Sequence, residues 1–214
     1  MAVTYQLPGS APVKDRRVRR SRAALMRATI DLVTERGTAA VPISDLAEAA
    51  DVSRQVVYQQ FGDRDTLLLE TALDLGRREL VPSVTGIADT TGRGQVLALA
   101  RHFAGHRAFY RVIFTGACGY GINKALGALL IPYNREALGQ LYGERLDPRT
   151  IEDLAVFLVG GASVLVNAWV VEGEDPLDPE EFTDRLIRMV ALVVDMQYAP
   201  VTSAGDGERA VGDP

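Results

Sequence analysis

Little in this chain supports catalysis, export or a covalent cross-link. Its 214 residues include a single cysteine, Cys118, so no disulfide can form within the chain. No apolar segment follows Met1, which argues against an export signal, and we expect a cytoplasmic protein. A phosphate-binding glycine loop, a nucleophile elbow and paired carboxylates are all missing, so an enzyme is not predicted. No alternating pattern is long enough to predict a strand, which leaves an all-α fold.

Charge is distributed unevenly along the chain. The net charge of −5 would by itself argue against binding to nucleic acid. Residues 14–27, however, hold seven basic residues and one acidic residue, whereas residues 81–214 hold 11 basic and 17 acidic residues. Phosphate binding depends on the local field, because salt screens charges beyond about 10 Å. Residues 14–27, the basic arm, are therefore a candidate phosphate-binding segment; the alternative is the solvated start of a helix.

Residues 43–64 have the pattern of two short helices joined by a tight turn. Ala47 is small enough for a close helix crossing, and Val57 would point into the same contact. Asp51 stands where the turn needs left-handed backbone, which Asp tolerates better than most residues. Ser53 can cap the second helix. Helical spacing then places four long polar side chains on one outward face, as entry into a major groove requires: Arg54, Gln55, Tyr58 and Gln59.

The segment from about Arg20 to Leu75 resembles the DNA-binding domain of the TetR family of transcriptional repressors. The resemblance rests on the turn Asp51-Val52-Ser53, the block Val57-Tyr58-Gln59-Gln60-Phe61 and the helix start Asp63-Arg64-Asp65. It covers roughly the first third of the chain. It implies an all-α protein with an N-terminal three-helix helix-turn-helix DNA-binding domain and a C-terminal helical ligand-binding and dimerisation domain.

The sequence departs from the usual family pattern in a few places. Asp51, Val57 and Arg64 stand where the family usually has Gly, Leu and Lys, and each replacement keeps the physical role. Pro42 stands where the family often has a Ser or Thr that caps the helix and touches a phosphate. We expect Ser44 to take over this cap at the start of a slightly shorter helix.

Residue types and family positions together predict the DNA contacts. Arg54 suits a guanine edge, and Gln55 or Gln59 suits an adenine edge or a phosphate. Val56 can pack on a thymine methyl group, whereas Tyr58 and Arg64 match family positions that usually hold the DNA backbone. For each residue the alternative is a solvated side chain. The predicted DNA-binding set is Arg20, Ser44, Ser53, Arg54, Gln55, Val56, Tyr58, Gln59 and Arg64.

Glycine, proline and Asp-Pro positions divide the chain into segments. Residues 1–13 and 199–214 are predicted to be disordered tails, on either side of a helix-turn-helix domain at 14–62, a connecting helix four at 63–82 and a helical domain at 83–198. Asp63 is expected to cap helix four and the Pro82 region to end it. The later helices are predicted at about 95–105, 107–116, 121–142, 149–172 and 179–198.

Residues 154–171 form an 18-residue run without charge, which is at the short end of the length that spans a membrane. Acidic residues flank the run on both sides and no Lys or Arg anchors it, so a helix buried within a soluble protein is favoured. Together with the apolar stripe of the last helix, it predicts a four-helix dimer interface, which is also where the family dimerises. The predicted interface residues are Phe157, Gly161, Leu165, Trp169, Phe182, Leu186, Met189, Val190 and Val193.

Aromatic and polar residues are concentrated in residues 102–120, the region in which the family encloses a small-molecule pocket. The alternative is that these aromatics form ordinary core. His102 and His106 are four residues apart, but two ligands without a nearby carboxylate are too few for zinc, so no metal and no cofactor are predicted. The predicted ligand-binding set is His102, Phe103, His106, Phe109, Tyr110, Phe114, Cys118, Tyr120 and Asn167.

The resemblance implies a homodimeric regulator, expected to be a repressor, that binds an inverted-repeat DNA operator and is released by a small apolar or aromatic effector. Two alternatives from other classes stay open. One is a helical protein-interaction module without sequence-specific DNA binding. The other is a small helical enzyme built on His102, His106 and Cys118, for which thiolate activation lacks support. Activation rather than repression is also open.

Overall fold

The computed structural model describes residues 13–85 and 92–194, and within these ranges every regular element is a helix. The predicted tails at 1–13 and 199–214 fall outside the described residues, except that Val13 opens the first helix. The helices are α1 (Val13–Arg36), α2 (Ile43–Ala49), α3 (Arg54–Phe61), α4 (Arg64–Leu75), α5 (Val81–Thr85), α6 (Arg93–Gly105), α7 (Arg107–Thr115), α8 (Gly119–Ala128), α9 (Ile131–Tyr142), α10 (Pro148–Glu172) and α11 (Pro179–Val194).

Local signals account for the bounds of the first four helices. Gly37 adopts a positive φ of 60° directly after α1, as a glycine at a helix end often does. Asp63 caps α4, because its carboxylate accepts a hydrogen bond from the Thr66 amide at 2.7 Å. The inward side of α4 is formed by its buried residues: Leu67, Leu68, Thr71, Ala72 and Leu75.

Helix four does not end at Pro82, contrary to the prediction. A π-helical turn, Gly76–Leu80, follows α4 directly and leads into α5, so that one helical rod runs from Arg64 to Thr85. Pro82 lacks an amide proton, but the first turn of a helical segment tolerates proline because its amides have no intrahelical acceptor. The π-helical turn ends at Leu80, and α5 starts at Val81, so Pro82 lies in the first turn of a new helical segment within the rod.

The predicted single helix at 121–142 is also wrong. It is divided into α8 and α9 at Leu129 and Leu130, and Pro132 lies in the first turn of α9. A proline in a helix interior loses a hydrogen bond and collides with the carbonyl four residues earlier, whereas in the first turn it does neither. Pro132 therefore marks a helix start.

One continuous apolar core joins the two halves of the chain. It includes Leu25 and Val57 of the N-terminal helices together with Tyr110 and Ile122 of the later ones. The halves meet where α1 packs on α7 and where α4 packs on α8. A Cβ added at Gly76 would lie 3.1 Å from Leu129 Cδ1, so this glycine permits a close approach of the rod to α8. The rod is therefore packed directly against the second half of the chain.

Helix α10 is the only described helix with the length and composition to cross a membrane. One side of this helix is buried within the chain and the other side is exposed. Ala155, Val159 and Val170 face the core, whereas Phe157 and Val164 are 62% and 66% exposed. Inside the chain α10 packs against α7, α8, α9 and α11. Its other side remains an exposed apolar surface.

Candidate nucleic-acid interface and regulatory domain

The turn before α3 has the predicted geometry. Asp51 has a φ of 53°, within the left-handed region. Ser53 caps α3, because its hydroxyl oxygen accepts a hydrogen bond from the Val56 amide at 3.4 Å. Val57 is completely buried and Phe61 is 5% exposed, so these two residues fix which side of α3 faces inward. The turn and the inward pair together set the direction in which the helix presents its polar residues.

The opposite side of α3 is exposed and polar. We call Arg54, Gln55, Tyr58 and Gln59 the recognition face, and all four are exposed. Ser53 at the start of the helix is exposed as well, whereas Val56 is half-buried and packs against the core. The recognition face thus has long side chains with donors and acceptors, as base-edge and phosphate contacts require.

Ser44 does not cap α2, which corrects the sequence prediction. The helix begins at Ile43 with Pro42 in the capping position, where no side chain accepts a hydrogen bond. The Ser44 hydroxyl is exposed and donates instead to Asp45 at 2.9 Å. Arg36 also donates to Asp45, at 2.6 Å, and these two hydrogen bonds, Arg36 first, lower the pKa of the Asp45 carboxyl. An ion pair to α1 therefore holds the first turn of α2.

Arg22, part of the basic arm, anchors the recognition helix rather than remaining free for phosphate. Its guanidinium donates to the Gln60 carbonyl oxygen at 3.1 Å and pairs with Glu70 at 3.1 Å. It also lies over the ring of Phe61. Gln60 in turn donates to the Ser21 hydroxyl at 2.7 Å. The sequence pattern gave no sign of this role, because the partners are about 40 residues away.

Other arginines of the basic arm lie on the surface of α1. Arg16, Arg17, Arg19 and Arg20 are all exposed, so the first described turns of α1 carry dense positive charge. Lys14 lies outside the residues whose side chains are described. An exposed run of this kind can neutralise phosphates along a DNA backbone.

Arg64 occupies the first position of α4 and is half-buried. Its Nε atom is buried without a hydrogen-bond partner and lies 3.7 Å from Asp65 Oδ1. The side chain lines a cleft of about 370 Å³ between the two halves of the chain. The same cleft is lined by the loop after α1 and by the segment Thr115 to Cys118. Arg64 therefore lies at the junction between the helix-turn-helix half and the rest of the chain.

Four of the predicted ligand-binding aromatics, Phe103, Phe109, Tyr110 and Phe114, pack against one another in the core. Tyr110 is completely buried, and its ring centre lies 4.7 Å from that of Phe103 and 5.5 Å from those of Phe109 and Phe114. This mutual packing agrees with the alternative that these aromatic residues form ordinary hydrophobic core. Tyr120 is 82% exposed, Asn167 is half-buried on α10, and Cys118 lines the cleft beside Arg64.

The two histidines of the chain lie beside each other at the end of α6. His102 Nε2 lies 2.9 Å from the Tyr110 hydroxyl, and His106 Nε2 lies 2.7 Å from Glu79 Oε2. Burial is the main cause that lowers the pKa of His102 to about 4; His106 adds to the shift and Glu79 opposes it. The imidazole of His102 is therefore neutral at pH 7. Burial also raises the pKa of Tyr110, which keeps its hydroxyl protonated.

Three of the predicted dimer-interface residues are core residues of their own chain. Trp169 stacks on Phe182, with ring centres 4.2 Å apart and planes 16° from parallel, and Leu186 is 5% exposed. The Trp169–Phe182 stack joins α10 to α11, so these two side chains are used mainly within their own chain. Phe157, Gly161 and Met189 are exposed, Leu165 and Val190 are half-buried, and the side chain of Val193 lies outside the description.

Fold and site together define a helix-turn-helix protein with a helical second domain. Residues 25–71 match the family described as bacterial regulatory proteins, tetR family. The HTH-type transcriptional regulator AlkX of Mycobacterium tuberculosis is 38% identical over 84 residues, which are 37% of this chain and 39% of AlkX. The chain thus matches about two fifths of the length of that relative. The N-terminal region thus matches the TetR family, as the resemblance found in the sequence predicts.

Solved structures of similar fold extend the likeness to most of the chain. A TetR-family transcriptional regulator from a Rhodococcus species has a TM-score of 0.60 at 19% identity, over 82% of this chain and 98% of that one. The fatty acid degradation regulator FadR from Bacillus halodurans has a TM-score of 0.58 at 16% identity, over 79% and 94%. RolR in complex with resorcinol has a TM-score of 0.56 at 22% identity, over 82% and 89%. At these identities the likeness concerns the fold, and it confirms the predicted all-α architecture.

Proposed function

We propose that this chain is a cytoplasmic transcriptional regulator, acting as a repressor, which binds an inverted-repeat operator as a homodimer and leaves it when a small molecule binds. The observation that carries the proposal is the recognition face. Four exposed polar side chains project from a helix whose start is capped by Ser53 and whose orientation is held by Arg22. A single face of this size reads only a few base pairs, so a symmetric pair of faces is needed for a specific site.

Dimerisation through α10 and α11 is supported by the apolar surface that one chain leaves exposed. We call Val156, Phe157, Val164, Met189 and Leu192 the apolar face; each is between 44% and 66% exposed. They lie on two helices in contact with each other, beside small residues at Gly160 and Gly161 that let another helix approach closely. An exposed apolar patch on packed helices is typical of a protein interface. A second copy would cover it as the sequence predicted.

Release by an effector requires a link between the second domain and the recognition helices. The rod from Arg64 to Thr85 supports such a link, since it starts directly after α3 and its middle packs against α8. RolR has been solved with resorcinol, a small aromatic molecule, and we propose an effector of similar size and chemistry here. The ligand acts by preferring the arrangement of helices that does not fit DNA. The cleft beside Arg64 and Cys118 opens at this junction.

A gel shift with DNA flanking the chain's own gene tests the proposal against the protein-interaction alternative. We expect a shifted band that resists a large excess of unlabelled random DNA and weakens steeply with salt, because phosphate contacts release counterions. Sedimentation of the free chain should give a dimer. A band lost equally to random and specific competitor would contradict operator recognition. No shift at low salt would favour the interaction module.

A further inference from the structure

A carboxylate from the helical rod meets both histidines of the chain. Glu79 Oε2 lies 2.7 Å from His106 Nε2 and 4.0 Å from His102 Nδ1, and the ligand atoms of the three residues all lie within 4.8 Å of one another. The prediction of no metal rests on the absence of a carboxylate near the histidines, whereas the structure places Glu79 beside them. Glu79 is 23 residues before His102, and only the packing of α6 on the rod brings them together.

Tyr110 determines how His102 is presented to this cluster. Its hydroxyl lies 2.9 Å from His102 Nε2, inside the core, and can accept the proton of that nitrogen. His102 Nδ1 is then unprotonated, with its lone pair on the side of Glu79. Hydrogen bonding of the distal ring nitrogen is the usual way in which proteins fix the tautomer and the direction of a metal-binding histidine.

The π-helical turn explains how Glu79 reaches the histidines. Glu79 is the fourth residue of the turn Gly76–Leu80, and the Val81 amide bonds to the Gly76 carbonyl five residues earlier. A turn of this kind holds one more residue than an α-turn, so it rotates the following residues by about 100° relative to a regular helix. Single π-turns inside α-helices often occur at functional sites. Here the turn holds the one carboxylate that completes the cluster.

We infer that Glu79, His102 and His106 form a binding site for a divalent transition-metal ion of the zinc type. The ligand atoms would be Glu79 Oε2, His102 Nδ1 and His106 Nε2, a set of two imidazoles and one carboxylate that suits Zn²⁺. Tetrahedral bonds of about 2.1 Å place ligand atoms about 3.4 Å apart. The observed separations of 2.7 and 4.0 Å lie on either side of that value. Small rotations of the half-exposed Glu79 and His106 side chains therefore suffice to seat the ion.

Such an ion would join the rod to α6. Three protein ligands leave a fourth position for water or for a donor atom of a small molecule. If the proposed regulatory function is correct, the ion fixes the rod that leads back to α4 and so changes DNA affinity. The metal site itself rests only on the geometry of the three residues.

Calorimetric titration of the metal-stripped full-length chain with ZnCl₂ tests the site. Because the chain has only two histidines and one cysteine, and Cys118 lies elsewhere, histidine-dependent binding can occur only here. We expect one ion per chain, with affinity reduced at least about tenfold in Glu79→Gln and in His106→Gln. Asp74→Asn is the matched control, because it removes a carboxylate that pairs with Arg78 on the same rod. This variant should bind like the wild type.

Two further measurements check that the variant is folded and that both histidines bind the ion. Circular dichroism checks that Glu79→Gln, whose side chain is 43% exposed in the native protein, retains the wild-type fold. Nuclear magnetic resonance of the histidine rings should show both rings shifting with one equivalent of Zn²⁺. No saturable binding below about 100 µM, or equal binding by folded Glu79→Gln, would overturn the site. Since neither measurement involves DNA, loss of operator binding would count against the proposed function alone.

Discussion

The guanidinium carbon of Arg22 lies 4.3 Å from the ring centre of Phe61, so the first helix holds the last residue of the recognition helix. The same guanidinium reaches Gln60 on α3 and Glu70 on α4. One arginine of the basic arm thus connects three helices of the DNA-binding half.

Replacing Arg22 by Ala should lower the free energy of unfolding by about 1–2 kcal/mol, through loss of a cation–π contact, a half-exposed ion pair and a hydrogen bond. Urea denaturation measures the change. Arg27→Ala is the control, because Arg27 is exposed on the same helix, and its effect should stay within about 0.5 kcal/mol. Equal losses from the two substitutions would remove the anchoring role of Arg22.

Arg54 and Arg64 should differ in how they affect DNA binding. Arg54→Ala should cost about 1–3 kcal/mol mainly at one base position, because Arg54 is exposed on the recognition face. Arg64→Ala should weaken binding to all sequences and reduce the salt slope by about one. Anisotropy titrations on operator and random DNA separate the two effects. If Arg54→Ala weakened both DNAs equally, base reading by this residue would be wrong.

The apolar face should control the oligomeric state. Phe157→Glu places a charge on the exposed side of α10 and should shift the chain to monomer in sedimentation equilibrium, while the helical content stays unchanged. Leu141→Glu is the control, because Leu141 is 64% exposed on α9 and is not part of the apolar face. A dimer that survives Phe157→Glu would require a different interface.

Substitution of alanine for either of two glycines in α8 should change the stability of the protein in opposite directions. A Cβ at Gly119 would overlap the backbone carbonyl oxygen of Phe114, which cannot move aside, so Gly119→Ala should destabilise by about 2–3 kcal/mol. Gly121 has open space around it, and Gly121→Ala should stabilise the helix by about 0.5–1 kcal/mol. Thermal melts of the two variants measure these changes. Equal changes in melting temperature for Gly119→Ala and Gly121→Ala would mean that α8 begins at a different residue.

The start of α10 should make stability depend on pH. Asp147 accepts hydrogen bonds from the Arg149 and Thr150 amides and from the Thr150 hydroxyl, and those from Thr150 are the main cause that lowers the pKa of Asp147 below 3.8. A lowered folded-state pKa contributes stability above the unfolded-state value, and this contribution is lost as the pH falls through the folded-state value.

Asparagine also caps helices but does not titrate, so Asp147→Asn separates the charge from the cap. The difference in melting temperature between the wild type and Asp147→Asn should be constant from pH 6 to about 4.5 and should shrink below about pH 4. Thermal melts of both proteins, recorded by circular dichroism from pH 6 to below pH 4, test this prediction. A difference that grows as the pH falls would show that the Asp147 charge opposes folding.

Helix caps and turn conformations that depend on residues close together in the chain could be predicted from the sequence. Ser53 and Asp63 cap helices three residues before the amides they bind, and Asp51 and Gly37 adopt the backbone that their residue types favour. The recognition face followed from these short-range rules. Pro132 is also a local signal, but the predicted helix at 121–142 places it in a helix interior, whereas it lies in the first turn of α9.

Contacts between residues far apart in the chain could not be predicted from the sequence. No spacing rule brings Glu79 to His106, because the π-helical turn and the packing of α6 set that contact. Likewise, the stack of Trp169 on Phe182 turned two expected interface residues into core. The aromatics around Tyr110 had the composition of a pocket, but whether such residues line a cavity or fill one depends on packing density.

Selection of bound DNA from a random pool by the full-length chain tests the central claim most directly. We predict enrichment of one motif, an inverted repeat whose half-site centres are about one helical turn or more apart, as two recognition faces related by a twofold axis require. The same selection with Arg54→Ala should relax one position in each half-site. A folded, dimeric chain that enriches no shared motif would contradict the account.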